Sequence, residues 1–247
     1  MDRLAYIAMT GAQQILQQQA VAANNLAQAG TPGFKADSLA FRVVPVVGAA
    51  PGTRAYAVAT TPGADMRPGP VEQTGRVLDV ALDGNAMLAV QSRDGLEAYT
   101  RAGRLAISSD GELRTHGGLT VLGEGGPIAV PEGARLAIAR DGTVSAVVES
   151  QGSANVQVLG RLKLVTPGEG GVVKGADSLF RTPGGGPLDA DDAARLTSGA
   201  LEGSNVNTVD AMVDMIGFAR QFEMQMKLLQ YAEANDQRAS QLLSPGG

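Results

Sequence analysis

The chain has 247 residues, of which 44% are hydrophobic and 18% charged, and its formal net charge is −5. A chain of this length and composition can bury a substantial core, so we expect a folded protein. The acidic balance and the aromatic content of only 4% argue against a nucleic-acid-binding surface. The absence of cysteine excludes thiol catalysis, cysteine-ligated metal sites and disulfide bonds.

The N-terminal region lacks the pattern of a cleaved secretory signal. Thr10, Gln13 and Gln14 interrupt its apolar residues, and no small-residue cleavage site follows. No stretch of the chain approaches the ~20 apolar residues that a membrane-spanning helix requires. We therefore expect any export of the chain to use a route that retains the N-terminus.

A first helix is predicted over residues 2–29. Asp2 is a suitable N-cap, and Gly30 and Pro32 mark the end of the helix. Small and apolar residues recur at alternating spacings of four and three, which is typical of a helix that packs along another helix. Apart from Gln19, this stripe consists of Ala5, Met9, Ala12, Leu16, Ala23 and Leu26, with Ala8, Ile15 and Ala22 in a row beside it.

A second helix is predicted over residues 208–243, with Asn207 as its N-cap. Burying its large apolar side chains would contribute roughly 9–18 kcal/mol, whereas ordering its backbone costs on the order of 36–72 kcal/mol before hydrogen bonds are counted. We therefore expect the helix to need packing partners, including neighbouring chains. Its apolar stripe consists of Met212, Met215, Ala219, Phe222, Met226 and Leu229, widened by Val213 and Ile216.

Between the two helices the apolar period changes to two, and Asp-Gly and Gly-Gly dipeptides mark turns. The sequence therefore predicts an α+β fold with an all-β middle domain. The predicted divisions are 1–35 (helix and turn motif), 36–74 (extended arm or long hairpin, and linker), 75–200 (β domain) and 201–247 (C-terminal helix). The predicted strands are 77–82, 87–90, 119–122, 136–139, 144–148 and 156–165.

No constellation of residues indicates catalysis. His116 is the only histidine, and no Ser/His/Asp pattern surrounds it. Asp189, Asp191 and Asp192 form an acidic cluster, but it lacks the central glycine and the late glutamate of an EF-hand loop. The glycine-rich stretches lack the Gly-Lys-Ser/Thr of a phosphate-binding loop. We therefore predict a protein that is not an enzyme and needs no cofactor or metal.

Several short motifs resemble those of flagellar rod, hook and hook-associated proteins. The N-terminal motif comprises residues 23–27 (ANNLA) and 31–35 (TPGFK), and the C-terminal motif comprises residues 201–207 (LEGSNVN). Residues 78–82 (LDVAL) and 99–103 (YTRAG) are similar to the β domain of these proteins. The motif residues that the resemblance singles out are Asn24, Asn25, Gly33, Phe34, Asn205 and Asn207. It implies that Asn24, Asn25 and Phe34 fix the turn after the first helix, and that Asn205 and Asn207 start the second.

The resemblance implies a structural subunit of the flagellar basal-body rod, located in the periplasm. Such subunits leave the cell unfolded through the flagellar type III apparatus and assemble beneath a rod cap. Their terminal helices pack as a coiled-coil-like layer, so the two stripes above would form the subunit interface. The implied partners are copies of the chain, neighbouring FlgC-like and FlgG-like rod proteins and, transiently, the export apparatus and cap, with no nucleic acid and no small-molecule substrate. The opening residues and residues 222–227 are similar to the proximal-rod member.

Two alternatives remain open at this point. One is a distal-rod or hook paralogue, FlgG-like, with the same architecture. The other belongs to a different class, a secreted β-domain module that binds a glycan and whose end helices form a closed hairpin. For Asn24 and Asn25, hydrogen bonding to the local backbone is an equally good interpretation. Arg101 is interpreted as a strand-face or turn residue and not as a contact to a neighbouring subunit.

Overall fold

The computed structural model describes residues 2–45, 55–59, 63–150, 153–168 and 171–243. Along the chain, a many-stranded middle region lies between two helices, α1 (Asp2–Ala27) and α2 (Thr208–Leu243). This confirms the α+β prediction. The bounds of α2 are those predicted. Helix α1 ends two residues earlier than predicted, because residues 28–30 form a turn in which the Thr31 amide donates to the Gln28 carbonyl at 3.0 Å.

The strands are mostly short. In chain order they are β1 (Asp37–Ser38), β2 (Phe41–Pro45), β3 (Ala55–Ala59), β4 (Gly63–Ala64), β5 (Val71–Gln73), β6 (Val80–Leu82), β7 (Met87–Gln91), β8 (Glu97–Thr100), β9 (Leu105–Ile107), β10 (Leu113–Thr115), β11 (Thr120–Gly123), β12 (Gly126–Pro127), β13 (Arg135–Ile138), β14 (Thr143–Ser150), β15 (Ser153–Arg161), β16 (Leu164–Val165), β17 (Val173–Lys174), β18 (Phe180–Arg181), β19 (Leu196–Ser198) and β20 (Ala200–Glu202).

The chain divides into two compact units. The helical unit comprises residues 1–27, 37–63 and 207–247, and the β unit comprises residues 28–36 and 64–206. In the helical unit α1 and α2 lie antiparallel, because Gly11 faces Gln225 whereas Ala22 and Asp214 line the same cleft. Strands β2 and β3 form an antiparallel pair within the predicted arm. Residues 46–54 and 60–62 of that arm lie outside the described residues.

The β unit is built on one antiparallel sheet with the order β17-β18-β8-β7-β11-β10-β9. Strands β13, β14 and β15 form a second sheet, and β6 and β5 pair with β19 and β20. Strand β20 contains Leu201 and Glu202, the first two residues of the C-terminal motif, so that motif begins inside the β unit. The core residues are apolar and contributed by most of these strands, among them Val80, Leu88, Val90, Leu105, Leu113, Val121, Val144, Leu162 and Leu196.

The predicted strands at 87–90, 119–122, 136–139 and 144–148 are confirmed as β7, β11, β13 and β14. The predicted strand at 77–82 is confirmed only for residues 80–82, which form β6, because residues 77 and 78 form a turn. The predicted strand at 156–165 is wrong as one element. It is β15, which ends at Arg161, followed by β16, which pairs with β7. Strand β8 was not predicted, because its last three residues are all buried and show no alternation of polar and apolar residues.

Candidate functional site

The face of α2 that packs on α1 is a row of seven residues at alternating spacings of four and three. Each is buried or partly buried, which is the burial expected along a helix–helix contact. The row consists of Ala211, Met215, Phe218, Phe222, Gln225, Leu229 and Ala232. On α1 the buried residues are Ala8, Ala12, Ile15 and Ala22. Small side chains on α1 thus receive the larger side chains of α2.

A second stripe on α2 points away from this contact, and its residues other than the partly buried Gly217 are exposed. Its apolar members include Val213, Met224 and Tyr231, which are 61%, 56% and 68% exposed. Gly217 and Arg220 lie between them at helical spacing. Beside the stripe, at the start of α2, Val209, Met212 and Ile216 are exposed as well. We call residues 213, 217, 220, 224 and 231 the outer stripe.

The structure separates the predicted interface residues into two groups. Ala12 is buried, and Met215, Phe222, Leu229 and Leu26 are partly buried. Exposed are Met9, Leu16, Ala23, Met212, Ile216, Ala219 and Met226. The side chain of Ala5 lies outside the described residues. The exposed group is available to a neighbouring molecule, and its role as a subunit interface stays a prediction.

The Asn24–Asn25 pair ties the end of α1 to a segment twelve residues further along the chain. The Asn25 side chain donates to the Asp37 carbonyl at 2.9 Å and accepts from the Asp37 amide at 2.8 Å. The Asn24 amide donates to the Asp37 carboxylate at 2.8 Å. The contacts are therefore not with the local backbone of the helix end, which corrects the simpler interpretation. A side-chain amide is suited to this role because it offers both a donor and an acceptor.

Asn205 acts in the same way in the β unit. Its Oδ1 accepts from the Ala36 amide at 2.7 Å, and its Nδ2 donates to the carbonyls of Asp65 and Arg67 at 2.7 and 3.1 Å. The neighbouring residues Ala36 and Asp37 are thus each held by a motif asparagine. Asn207 caps α2, because its Oδ1 accepts from the Val209 amide at 3.0 Å, which confirms the predicted N-cap.

Gly33 and Phe34 shape the turn that follows α1. Gly33 has φ = +71°, and a β-carbon there would overlap the backbone carbonyl of Arg101. Only glycine combines this backbone conformation with so close an approach. The ring of Phe34 is buried, and the Lys174 ammonium lies 3.8 Å from its centroid, a cation–π contact.

A buried carboxylate, Glu202, joins the N-terminal motif to the C-terminal motif. The Lys35 ammonium donates to Glu202 Oε1 at 2.7 Å and to the Arg67 carbonyl at 2.8 Å. The Gly69 amide donates to the same Oε1 at 3.0 Å. The side chains of Lys35 and Glu202 are 0% and 1% exposed. An ion pair this deeply buried is tolerated only when its polar atoms find partners.

Arg101 completes this cluster from the β-domain motif. Its guanidinium donates to Glu202 Oε2 from Nε at 2.7 Å and also from Nη2. The remaining donors reach the carbonyls of Leu82, Gly84 and Ala86, each at 2.8 Å. Arg101 directly follows β8, and these contacts lie within its own chain, but its burial and its pairing with Glu202 were not part of the interpretation as a strand-face or turn residue. We call Lys35, Arg101 and Glu202 the ionic cluster.

The ionic cluster alters the pKa values of its members. Burial alone would raise the pKa of Glu202, but hydrogen bonds from Lys35 and the Gly69 amide, with the charge of Arg101, hold it below its usual value. Burial lowers the pKa of Lys35, and the contact with Glu202 opposes that effect. The cluster was missed in the sequence, although one charged residue inside each of three otherwise uncharged or apolar motif segments was a usable signal.

Within the described residues, no helix is both long enough and apolar enough to cross a membrane. In the same part of the chain no group of three His, Asp or Glu side chains is arranged to hold a metal ion. Two members of the predicted acidic cluster have partners within the β unit, one of them local and one distant in sequence. Asp191 accepts from the Ala193 amide at 2.8 Å, and Asp192 pairs with Arg161 at 2.5 Å.

Comparison with known families assigns each of the three motif regions. Residues 6–35 match the family described as flagella basal body rod protein, and residues 81–146 match the flagellar hook protein FlgE/F/G D1 domain. Residues 197–242 match the flagellar basal body rod FlgEFG protein C-terminal family. A protein with these three regions in this order is a rod- or hook-type flagellar protein.

Full-length relatives narrow the assignment. The chain is 51% identical to flagellar basal-body rod protein FlgF of Escherichia coli and 50% identical to that of Salmonella typhimurium, over 99% of each chain. Identity to flagellar basal-body rod protein FlgG of Bacillus subtilis is 31%, over 93% of this chain and 94% of the relative. The chain therefore belongs to the flagellar basal-body rod protein family and, within it, to the FlgF group. This favours the rod assignment over the glycan-binding alternative, and FlgF over the FlgG-like one.

Proposed function

We propose that this chain is a structural subunit of the proximal part of the flagellar rod that polymerises through its terminal helices and transmits torque. It leaves the cell by the flagellar type III apparatus and contacts copies of itself and neighbouring FlgC-like and FlgG-like subunits. The export apparatus and the rod cap are transient partners. The family assignment supports the rod role, and the named relatives are structural rod proteins, not enzymes.

The observation that carries the polymerisation proposal is the outer stripe of α2. The inner row of α2 already has α1 as its partner, whereas the apolar members of the outer stripe are exposed among the described residues of the helical unit. Each large apolar side chain that a neighbour covers would contribute about 1.5–3 kcal/mol. Methionines such as Met224 adapt to differently shaped surfaces, which suits a subunit that meets neighbours of more than one kind.

Helix α1 offers a second exposed apolar surface. Met9 and Leu16 are 63% and 48% exposed and lie seven residues apart, on one face of the helix. A subunit with different contact surfaces on its two helices forms heterologous contacts, and these propagate as a helical assembly when they do not close into a ring. The coiled-coil-like layer remains part of this proposal.

The test is incorporation into the rod. A strain that lacks the chain is complemented with the Val213→Asp, Met224→Asp double variant, and its basal bodies are isolated. We expect loss of the chain from the basal bodies and loss of swimming. The matched control is Val156→Asp on β15, because Val156 is 63% exposed but lies in the β unit. Normal incorporation of the α2 variant would contradict the proposal.

A further inference from the structure

Residues 196–205 form the C-terminal side of the β unit, and we call them the closing segment. They contain β19 and β20. Among the described strands, β6 pairs only with β19, and β5 pairs only with β20. Leu196 and Ala200 are buried, and Leu196 belongs to the same apolar core as Val90 of β7. The closing segment thus supplies strand pairing and core volume to parts of the unit that lie much earlier in the chain.

The closing segment also contacts the turn that follows α1, at the other end of the sequence of the β unit. The Gly33 amide donates to the Glu202 carbonyl at 2.8 Å, and the Asn205 amide donates to the Phe34 carbonyl at 3.3 Å. The Ala36 amide donates to the side chain of Asn205 at 2.7 Å. Both ends of this sequence therefore complete the same place in the structure.

The ionic cluster adds an electrostatic requirement for this meeting. Within the described residues, Glu202 is the carboxylate that forms ion pairs with Lys35 and with Arg101, and both cations are buried. Without the closing segment, the same arrangement would bury two cations that lack a counter-charge, which is strongly unfavourable. The native surroundings of Lys35 and Arg101 therefore form only when Glu202 is present.

The members of the ionic cluster are far apart along the chain. Lys35 and Glu202 are separated by 167 positions, and Arg101 and Glu202 by 101. Contacts between such distant residues cost loop-closure entropy before they stabilise the chain, so they form slowly. Strands β5 to β18 all lie before residue 196. The unit is complete only when these strands and the closing segment are all free to fold.

We propose that the closing segment keeps the β unit from folding until both ends of its sequence are available. A chain that passes through a narrow channel frees one end first. If the N-terminal end leads, residues 196–205 are missing from the unit, and if the C-terminal end leads, residues 28–36 are missing. In either direction folding waits until almost the whole β unit has left the channel. This use rests on the proposed function, in which the chain is exported unfolded, whereas the folding order is a property of the chain itself.

The first test is native-state hydrogen exchange on the purified full-length chain at low urea concentrations. Residues 80–82 and 196–202 should open together with residues 87–91 and with the same opening free energy, because they belong to one cooperative unit. Glu202→Gln should raise the exchange rates of all three segments by about tenfold or more. Glu72→Gln on the exposed strand β5 is the matched control and should leave these rates unchanged.

The second test follows the refolding of the full-length chain from urea by pulsed hydrogen exchange. Residues 87–91 of β7 should gain protection in the same kinetic phase as residues 196–202 of the closing segment. Glu202→Gln should slow that phase, and Glu72→Gln should not. The measurements on the unaltered chain decide the inference even if Glu202→Gln fails to fold.

Two results would overturn the inference. One is an opening that exposes residues 196–202 while residues 87–91 stay protected. The other is a refolding phase in which residues 87–91 gain protection before residues 196–202. The rod role is tested separately by incorporation into basal bodies. If Val213→Asp, Met224→Asp blocks incorporation while β7 folds ahead of the closing segment, only the folding order is wrong.

Discussion

The two units differ in which side chains they bury and which they expose. In the β unit even the charged side chains of Lys35, Arg101 and Glu202 are buried, and each has hydrogen-bond partners. In the helical unit large apolar side chains such as Met224 and Tyr231 are exposed. The β unit thus meets its own requirements for burial and hydrogen bonding, whereas the helical unit leaves apolar area for another molecule.

The same contrast separates the motif residues, most of which have contacts within the chain, from the outer stripe of α2. Most motif residues act within one chain, since Asn25 holds Asp37, Asn205 holds Ala36, and Gly33 lies against the backbone of Arg101. The outer stripe of α2 is the region that intramolecular packing does not explain. Substitutions in the β unit should therefore change the stability of the chain, and substitutions on the outer stripe should change its association.

The largest effect on stability is expected from Glu202→Gln. The substitution removes the charge that balances Lys35 and Arg101, and breaking a buried pair in this way costs about 3–5 kcal/mol. The measurement is the free energy of unfolding in urea. Glu72→Gln on the exposed strand β5 is the matched control and should stay within about 0.5 kcal/mol of the unaltered chain. A loss below about 1 kcal/mol for Glu202→Gln would mean that the cluster does not stabilise the unit.

Gly33→Ala is expected to have the next largest effect. Gly33 and Gly75 both have φ = +71°, but only at Gly33 would a β-carbon meet the chain, at the carbonyl of Arg101. Gly75→Ala should cost about 1–2 kcal/mol for the left-handed backbone alone. Gly33→Ala should cost about 1–3 kcal/mol more, because the backbone must shift. Equal losses in thermal unfolding would show that the close approach carries no cost.

Lowering the pH is expected to have a smaller effect on the free energy of unfolding. The pKa of Glu202 is lower in the folded chain than in the unfolded one. Its stabilising contribution is therefore complete above the usual glutamate pKa of about 4.3 and is lost as the pH falls through the lower, folded value. The difference in unfolding free energy between the unaltered chain and Glu202→Gln should accordingly shrink below that pH. A difference that stays constant down to pH 3 would rule out a titrating Glu202.

The smallest effect is expected from substitutions of two helix glycines, Gly11 and Gly217, which lie on different faces of the helical unit. Gly11→Ala and Gly217→Ala should each raise the stability of the monomer by about 0.5–1 kcal/mol. At Gly11 the added methyl would make an ordinary contact of 3.5 Å with Gln225, and at Gly217 it would meet nothing. Only Gly217→Ala should weaken self-association in sedimentation experiments. Equal association of both variants would place the neighbour away from Gly217.

The elements that could be predicted from the sequence are those with strong local signals. Helix α2 was predicted with both its ends, because Asn207 caps it and apolar residues recur at helical spacing. Strands β7, β13 and β14, which border Asp-Gly turns, were found, whereas β9 and β10, on either side of Asp110-Gly111, were not. Strand β8 was missed because its buried residues show no alternation, and β15 was joined to β16 because only Leu162 and Lys163 separate the two strands.

By itself, the sequence determined the α+β class, the ends of α2 and the family, since caps, periodicity and short motifs are local properties of the chain. The tertiary structure decided which side of each stripe is covered. The apolar arc of α2 spans more than one face, and only packing against α1 selects Met215 and Phe222 while leaving Met212 and Ile216 exposed. It also decided the meeting of Lys35, Arg101 and Glu202, because no local pattern encodes a contact between residues so distant along the chain.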